Sequence, residues 1–323
     1  MDEYKLLKVV GSGQTSKVHL ASSKSNNTNI DRSSLPYKVS ELVAVKVVPT
    51  YGKNISATLQ REIVALKSIP KNEFIVELLD DFGVNERSKY STHCIVMYPY
   101  LGGPLHKRAQ TCDSNRMTLR DAGYHATEIC EAIEHVHRSG YMHRDIKAAN
   151  ILLSHEGHAV LGDFGCAREI PSAGGKALTF CGTIHAMAPE MLEKSGHDEK
   201  VDNWALGILI FEMLIGGVPF SYNVGEEELS NKLKESSSDT WFKYEEERQL
   251  LGEEVQEIIV GLTRTDASSR LTFSEIRTRS FFCGAFTGLS GGQNQPPAVV
   301  ADDVLIKPRH LVDPPPPKWS GYV

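Results

Sequence analysis

What this chain lacks narrows its class before any motif is read. Basic residues are in the minority: 35 Lys and Arg face 41 Asp and Glu, a formal charge of -6. A general nucleic-acid binder needs cationic surface for the phosphate backbone, so none is expected here. No long apolar run is present. The most apolar stretch, Trp204 to Phe220, is interrupted by Gly207, Glu212, Gly216, Gly217 and Pro219. It reads as a buried helix with its exit turn, and no membrane span is expected. Met1 to Lys8 has no apolar core behind a basic patch, so no secretory leader is expected. The six cysteines, Cys94, Cys112, Cys130, Cys166, Cys181 and Cys283, form no CxxC pair. Neither a zinc site nor a disulfide framework is expected. A reducing compartment follows as the default, the cytoplasm, with the nucleus as the alternative. Internal repeats are also missing.

What is there suffices for a sizeable core. The 323 residues are 41% hydrophobic and 24% charged, an ordinary composition that excludes global disorder. The acidity is local. Between Gly225 and Glu257 stand eleven acids, among them Glu226, Glu227, Glu228, Glu253, Glu254 and Glu257, against four bases. The rest of the chain is close to neutral. This block reads either as a solvated acidic face or as a docking surface for a basic partner.

The pattern along the chain divides in two. Residues 4–20 read as two short strands around a Gly-Ser-Gly turn, and the Ser/Asn-rich 21–40 stretch reads as a loop. Strands are expected over 42–48, 75–79 and 94–98, with a helix over 58–68. From Thr118 the period becomes helical: Leu119, Ala122, Ala126, Ile129, Ile133 and Val136 recur on one face, behind a Thr118–Asp121 capping box. Further helices are expected over 201–215, 255–262 and 273–279. Strands first and helices after suggest an α+β protein with two lobes. Beyond Cys283 the chain turns to Gly and Pro, including Pro314 to Pro317, and reads as an extended tail.

The chemistry lies in short, ordered motifs. Gly11-Ser-Gly13-Gln-Thr-Ser16-Lys-Val18 sits between two strands, where glycines let a turn approach a phosphate. Val43-Ala44-Val45-Lys46 puts a lysine in an apolar strand, costly unless an anion meets it, and Glu62 lies in the next helix. Tyr141-Met-His143-Arg144-Asp145-Ile-Lys147-Ala-Ala-Asn150 brings a carboxylate, an ammonium and a carboxamide within six residues. Asp163-Phe164-Gly165 adds a second carboxylate, and Ala188-Pro189-Glu190 closes the segment. Together they offer a proton acceptor, cations for a moving phosphoryl group, and metal ligands.

This ordered set resembles the eukaryotic-type protein kinase superfamily over roughly residues 4–283. The resemblance implies a bilobal kinase fold: a kinase domain over 1–283 with a small antiparallel sheet lobe at 1–97, a hinge at 98–103 and a mainly helical lobe at 104–283, then a tail at 284–323. It implies ATP and Mg²⁺ as cofactors. Asp145 would accept the substrate hydroxyl proton, Lys147 would neutralise the γ-phosphate, and Asn150 and Asp163 would ligate Mg²⁺. ATP would be bound by Val10, Gly11, Gly13, Ser16, Val18, Ala44, Lys46, Glu62, Met97, Tyr98, Tyr100 and Leu152. Of these, Lys46 would pair with Glu62, Met97 would be the gatekeeper and Tyr98–Tyr100 the hinge. Lys147 and Thr183 are typical of Ser/Thr rather than tyrosine kinases. Leu66, Leu78, His143 and Phe164 would stack between the lobes. Asp202 would anchor the catalytic loop, and Glu190 would pair with Arg270.

Arg144 and Arg168 would clamp a phosphate on the activation segment, with Thr179 as the candidate phosphosite and Ser172 as a weaker one. Partners implied are protein substrates with Ser or Thr acceptors and an upstream kinase. Some positions depart from the pattern. Ser16 replaces the third loop glycine. Pro104 and Ala149 stand where relatives that prefer upstream arginine carry acids. Cys166 leaves the choice between Ser and Thr open. The stretch His143 to Leu153 resembles sterile-twenty-like kinases, while Phe180-Cys-Gly-Thr183 resembles the cyclic-nucleotide- and calmodulin-dependent groups. A pseudokinase on the same fold, or an adaptor working through the proline tail, are the other function classes.

Overall fold

The polypeptide begins with a sheet built on alternation. The structure, a computed structural model, describes residues 3–13, 16–23, 42–51, 55–85, 90–112, 115–172, 174–219, 225–235, 242, 245–282 and 296–297. Strands β1 (Tyr4–Ser12), β2 (Lys17–Ser23), β3 (Leu42–Tyr51), β4 (Leu78–Asn85) and β5 (Tyr90–Met97) form one antiparallel sheet in the order β1-β2-β3-β5-β4. Side chains alternate across a strand. Val43, Val45 and Val47 of β3 therefore bury one face, with Tyr4, Ala21, Cys94 and Val96. Val48 and Ile95 bury the other, against Leu59 and Ile63 of helix α1 (Ala57–Ser68). The Ser56 hydroxyl caps α1 by accepting from the Leu59 amide.

Two strand boundaries correct the sequence reading. Ala21, Ser22 and Ser23 do not open the expected 21–40 loop but continue β2, paired with Val43 and Leu42 of β3 and with Tyr4 of β1. The rest of that stretch lies outside the described residues. Ile75 and Val76 do not start a strand of this sheet. The Val76 amide donates to Leu161 O, and the Leu161 amide donates to Phe74 O. Their backbone thus ties the sheet lobe to the second lobe, and β4 begins only at Leu78.

The second lobe is mainly helical. Helix α2 (Leu105–Thr111) is short, and α3 (Leu119–Arg138) runs through the middle of the lobe. Thr118 accepts from the Asp121 amide at the start of α3. Ala122, Ala126, Ile129, Ile133 and Val136 are fully buried in the principal core, as the spacing predicts, but Leu119, expected on the same face, is 43% exposed at the first turn. Helix α4 (Pro189–Leu192) and helix α5 (Lys200–Ile215) follow, and α5 is apolar on nearly every side. That pattern marks a helix enclosed by the core. Among the described residues no helix is long and apolar enough to cross a membrane. The helix expected over 255–262 is the second half of a longer one, Glu245–Leu262, kinked at Gly252. The last, Phe273–Arg277, starts at a reciprocal Thr272–Glu275 capping box.

The acidic block is partly neutralised within the chain. Glu226 pairs with Lys194 at 2.9 Å, Glu228 with Lys232 at 2.7 Å and Glu257 with Arg279 at 3.1 Å. Glu254 accepts from the Ser280 amide at 2.6 Å. The tail beyond Cys283, with its expected polyproline structure, lies outside the described residues except for Pro296 and Pro297, which lie against Gly157.

Candidate active site

The cleft between the lobes is set by a few backbone decisions. β3 is flanked by β2 and β5, so Lys46 is no edge-strand residue. It stands on the face toward α1, its side chain 15% exposed. Its ammonium donates to both Glu62 carboxylate oxygens, at 2.7 and 2.8 Å, and to Asp163 Oδ1 at 3.3 Å. Burial alone would lower the pKa of Lys46, but the two carboxylates outweigh it and raise it. The lysine is thus held cationic at the cleft. Partial burial works against charge on Asp163 too, and Lys46, with the Gly165 amide, still holds its carboxyl below the usual range.

Asp163 lies in the left-handed region, at φ 54°. Few non-glycine residues do so, and such conformations persist only where surroundings enforce them. Here the Gly165 amide donates to Oδ1 at 3.4 Å, and Phe164 is wholly buried, its ring 4.8 Å from that of His143. His143 in turn hydrogen-bonds Gly162 O at 3.0 Å. Leu66 packs against the same core, and Leu78 against the α1 cluster.

The loop from His143 to Asn150 hangs from one buried carboxylate. Asp202, in the first turn of α5, accepts from the His143 amide at 2.8 Å, the Arg144 amide at 2.7 Å and the His137 ring at 2.8 Å. Burial opposes its charge, yet these donors outweigh burial and hold its carboxyl below the ordinary range. At the loop's tip Asp145 gathers the remaining groups. Its Oδ2 accepts from Lys147 Nζ at 2.9 Å and Asn150 Nδ2 at 2.8 Å, and its Oδ1 accepts from Thr183 at 2.6 Å. Lys147 also donates to the Thr183 hydroxyl at 2.6 Å. Because the Asn150 amide nitrogen is engaged by Asp145, its carbonyl oxygen is left as a ligand. That oxygen and the Asp163 carboxylate are the hard donors Mg²⁺ prefers.

The remaining cleft residues follow from the strand register. Ala44 pairs with Met97, and Val18 with Lys46. Val10 packs beside Leu20, Leu42 and Leu101. The Gly13 amide donates to Ser16 O at 2.9 Å, closing the glycine turn. Gly11 sits opposite Val18, and Leu152 packs under Gly162. Residues 14 and 15 lie outside the described residues. In the hinge the Tyr98 amide donates to Glu77 O at 3.1 Å. The Tyr100 hydroxyl accepts from the Glu77 amide at 3.2 Å and lies 3.4 Å from Ile75 O. The Tyr100 hydroxyl therefore braces the 98–100 segment against residues 75–77.

The activation segment returns to this loop through a tight approach. Gly182 has φ 118°, and a Cβ there would stand 2.5 Å from Arg144 O, so no larger residue fits. Thr179 Oγ1 accepts from Arg144 at 2.8 Å and from Arg168 at 2.9 Å. Burial, with Arg168 and Arg61 nearby, pushes the Arg144 guanidinium down to about 10. Asp202 offsets this only in part, its carboxylate being taken up by the His143 and Arg144 amides and the His137 ring. Ser172 is exposed, and no contact brings it to these arginines. Farther down, Arg270 forks onto Glu190 with two bonds of 2.7 Å.

One expectation is overturned. Cys166 and Cys181 form a disulfide, with Cα atoms 5.8 Å apart. Their separation of fifteen residues gave no pairing signal, because the segment's return, not local spacing, brings them together.

Residues 4–282 match the protein kinase domain family. The chain is 33% identical over 240 residues to protein kinase C-like 1 of Saccharomyces cerevisiae, covering 72% of this chain and 19% of that protein. It is 31% identical over 285 residues to ribosomal protein S6 kinase alpha-3 of Homo sapiens, covering 87% and 35%. To ribosomal protein S6 kinase alpha-2 of Mus musculus it is 31% identical over 286 residues, covering 87% and 36%. It thus spans about a fifth to a third of the length of these relatives. A match that takes in both lobes and the cleft between them establishes that this chain belongs to the protein kinase family.

Proposed function

We propose that this chain transfers the γ-phosphoryl group of Mg-ATP to Ser or Thr hydroxyls of proteins. The carrying observation is the convergence of Lys147, Asn150 and Thr183 on Asp145, at 2.6 to 2.9 Å. Asp145 is placed to accept the proton of an incoming hydroxyl, and Lys147 to offset charge on the transferring group. Lys46, fixed by Glu62, orients the α- and β-phosphates. Asn150 and Asp163 would hold the metal, which when bound neutralises the phosphate oxygens. The apolar cleft residues Val10, Val18, Ala44, Met97 and Leu152 would enclose the adenine, with backbone groups of Tyr98–Tyr100 at its edge. The complete set favours catalysis over a pseudokinase role.

Lys46→Met is the direct test of this reading. Transfer of labelled phosphate to a generic protein substrate is expected to fall at least about a hundredfold, the scale of losing one preorganised charge at a transition state. Circular dichroism should be unchanged. A wild-type rate in the variant would overturn the assignment.

The reading includes regulation by an upstream kinase. Phosphate on Thr179 would give Arg144 and Arg168 their anion and order the segment. Thr179→Ala is expected to lower the activity of phosphorylated protein by at least about tenfold, the change produced by ~1.4 kcal/mol of lost order. Steady-state rates of the two proteins after treatment with an activating kinase check this. A cytoplasmic location, with the nucleus as the alternative, belongs to the same proposal. A basic partner at residues 225–257 is the weaker part, since Glu226, Glu228 and Glu257 already pair within the chain.

A further inference from the structure

We propose that Cys166 and Cys181 are a redox modification site: a reversible disulfide that staples the activation segment in the arrangement the active site needs, without a phosphate on Thr179. This rests on the kinase reading for its effect on rate, though not for the bond itself. The placement of the two sulfurs carries the idea. Cys166 directly follows Asp163-Phe164-Gly165, and Cys181 directly precedes Gly182-Thr183. The bond therefore ties the stretch that presents Asp163 to the stretch whose threonine contacts Asp145.

Arg144 already bridges the same two stretches. Its Nε donates to Cys166 O at 2.8 Å, and its other nitrogen donates to Thr179 O at 3.2 Å. The disulfide and the arginine clamp thus hold the same two stretches by different chemistry. With the bond formed, every contact of the catalytic cluster is in place, including Lys46 to Glu62 and Lys147 to Thr183. The crosslink is therefore compatible with the assembled site.

Accessibility separates this pair from Cys94 and Cys130, though not from Cys112, which is half-buried too. Cys94 and Cys130 are wholly buried, whereas Cys166 and Cys181 are half-buried. Arg144 donates to Cys166 O at 2.8 Å and Arg168 stands two residues beyond Cys166, a cationic and accessible setting of the kind in which peroxide-sensitive thiols are found. In a reducing compartment such a bond forms only under oxidant. The oxidant is a hydroperoxide. One thiolate attacks its terminal oxygen, releasing the alcohol or water and leaving a sulfenic acid. The second thiol displaces hydroxide from that sulfur, which leaves as water, and the disulfide forms. A dithiol reductant returns both thiols by exchange.

The test uses the full chain, unphosphorylated, as wild type, Thr179→Ala, Cys181→Ser and Cys166→Ser. Each is treated with hydrogen peroxide or with dithiothreitol. Peptide mapping under non-reducing conditions should show the 166–181 crosslink only in the first two proteins, only after peroxide. Amide exchange across residues 167–182 should slow in the crosslinked form. Kinase activity of Thr179→Ala should rise on the order of tenfold, well within the roughly hundredfold that closing a fifteen-residue loop can supply. Dithiothreitol should reverse the rise. Reduced Cys181→Ser and Cys166→Ser should match the reduced wild type and not respond to peroxide. The proposal fails if peroxide yields no crosslinked peptide, if exchange is unchanged by the crosslink, or if the crosslinked enzyme is no faster than the reduced one. It also fails if stimulation persists in both serine variants. If no form phosphorylates protein, the kinase reading is at fault, and mapping with amide exchange still decides the staple.

Discussion

Asp145→Asn is expected to lower kcat by roughly 10²–10⁴-fold, the usual worth of a positioned general base. Asparagine keeps the size of the side chain and an oxygen for one donor. It cannot take the proton of a substrate hydroxyl, and it gives up the charge that holds Lys147 at 2.9 Å. Thr183 would lose the carboxylate it donates to at 2.6 Å, whereas Asn150 keeps its bond of 2.8 Å to the backbone carbonyl of residue 145. The loss should appear in kcat, with the KM for ATP little changed, because Lys46, Glu62 and the hinge lie outside this cluster. Comparing kcat and KM for ATP in the two proteins checks it. A variant that loses ATP affinity but keeps its turnover would place the base elsewhere.

The second large effect concerns stability. Removing one partner of the Glu190–Arg270 pair should cost about 3–5 kcal/mol, because it strands a buried charge. The Arg270 side chain is 0% exposed. Beyond Glu190 it donates to Lys200 O at 2.9 Å and Arg264 O at 2.8 Å, and it lies 5.2 Å from the Trp204 ring. It therefore joins the end of the activation segment to the start of α5 and to the loop after the helix Glu245–Leu262. Against a typical total stability of about 5–15 kcal/mol, Arg270→Ala should lower the melting temperature by about 10 °C or prevent folding. Glu190→Gln with Arg270→Met, which removes both charges and keeps the volume, should cost less than Arg270→Ala. Thermal denaturation of both variants would show it. Equal losses would mean that packing, not the stranded charge, dominates.

The catalytic cluster was legible because its chemistry is local. Asp145, Lys147 and Asn150 fall in one loop, and the order of motifs supplied Lys46, Glu62 and Asp163. The contact of His143 with Phe164 and the Asp202 anchor followed from the same order. Features that depend on the returning chain were not legible. Cys166 and Cys181 looked isolated because nothing local distinguishes a cysteine awaiting a distant partner. Ile75 and Val76 have strand composition, yet their backbone bonds go to Leu161. Glu128 looks like one more polar residue of α3, but it is buried and accepts from the Ala159 amide at 2.7 Å and His158 at 2.6 Å, fixing a hairpin thirty residues away. The Thr272–Glu275 box was a different kind of miss. It obeys the rule that marked Thr118, and the same scan would have found it.

The approach of Gly182 to Arg144 has a mechanical consequence. With no side chain between them, the returning segment and the His143–Asn150 loop are in backbone contact, and neither can shift alone. Any event at Thr179, three residues upstream, is therefore delivered to Thr183 and Asp145 through a short, stiff lever rather than a slack tether. A rigid linkage of this kind transmits displacement with little loss. The segment should behave less as a door over the cleft than as a pawl, engaged or released as a unit with the loop it touches.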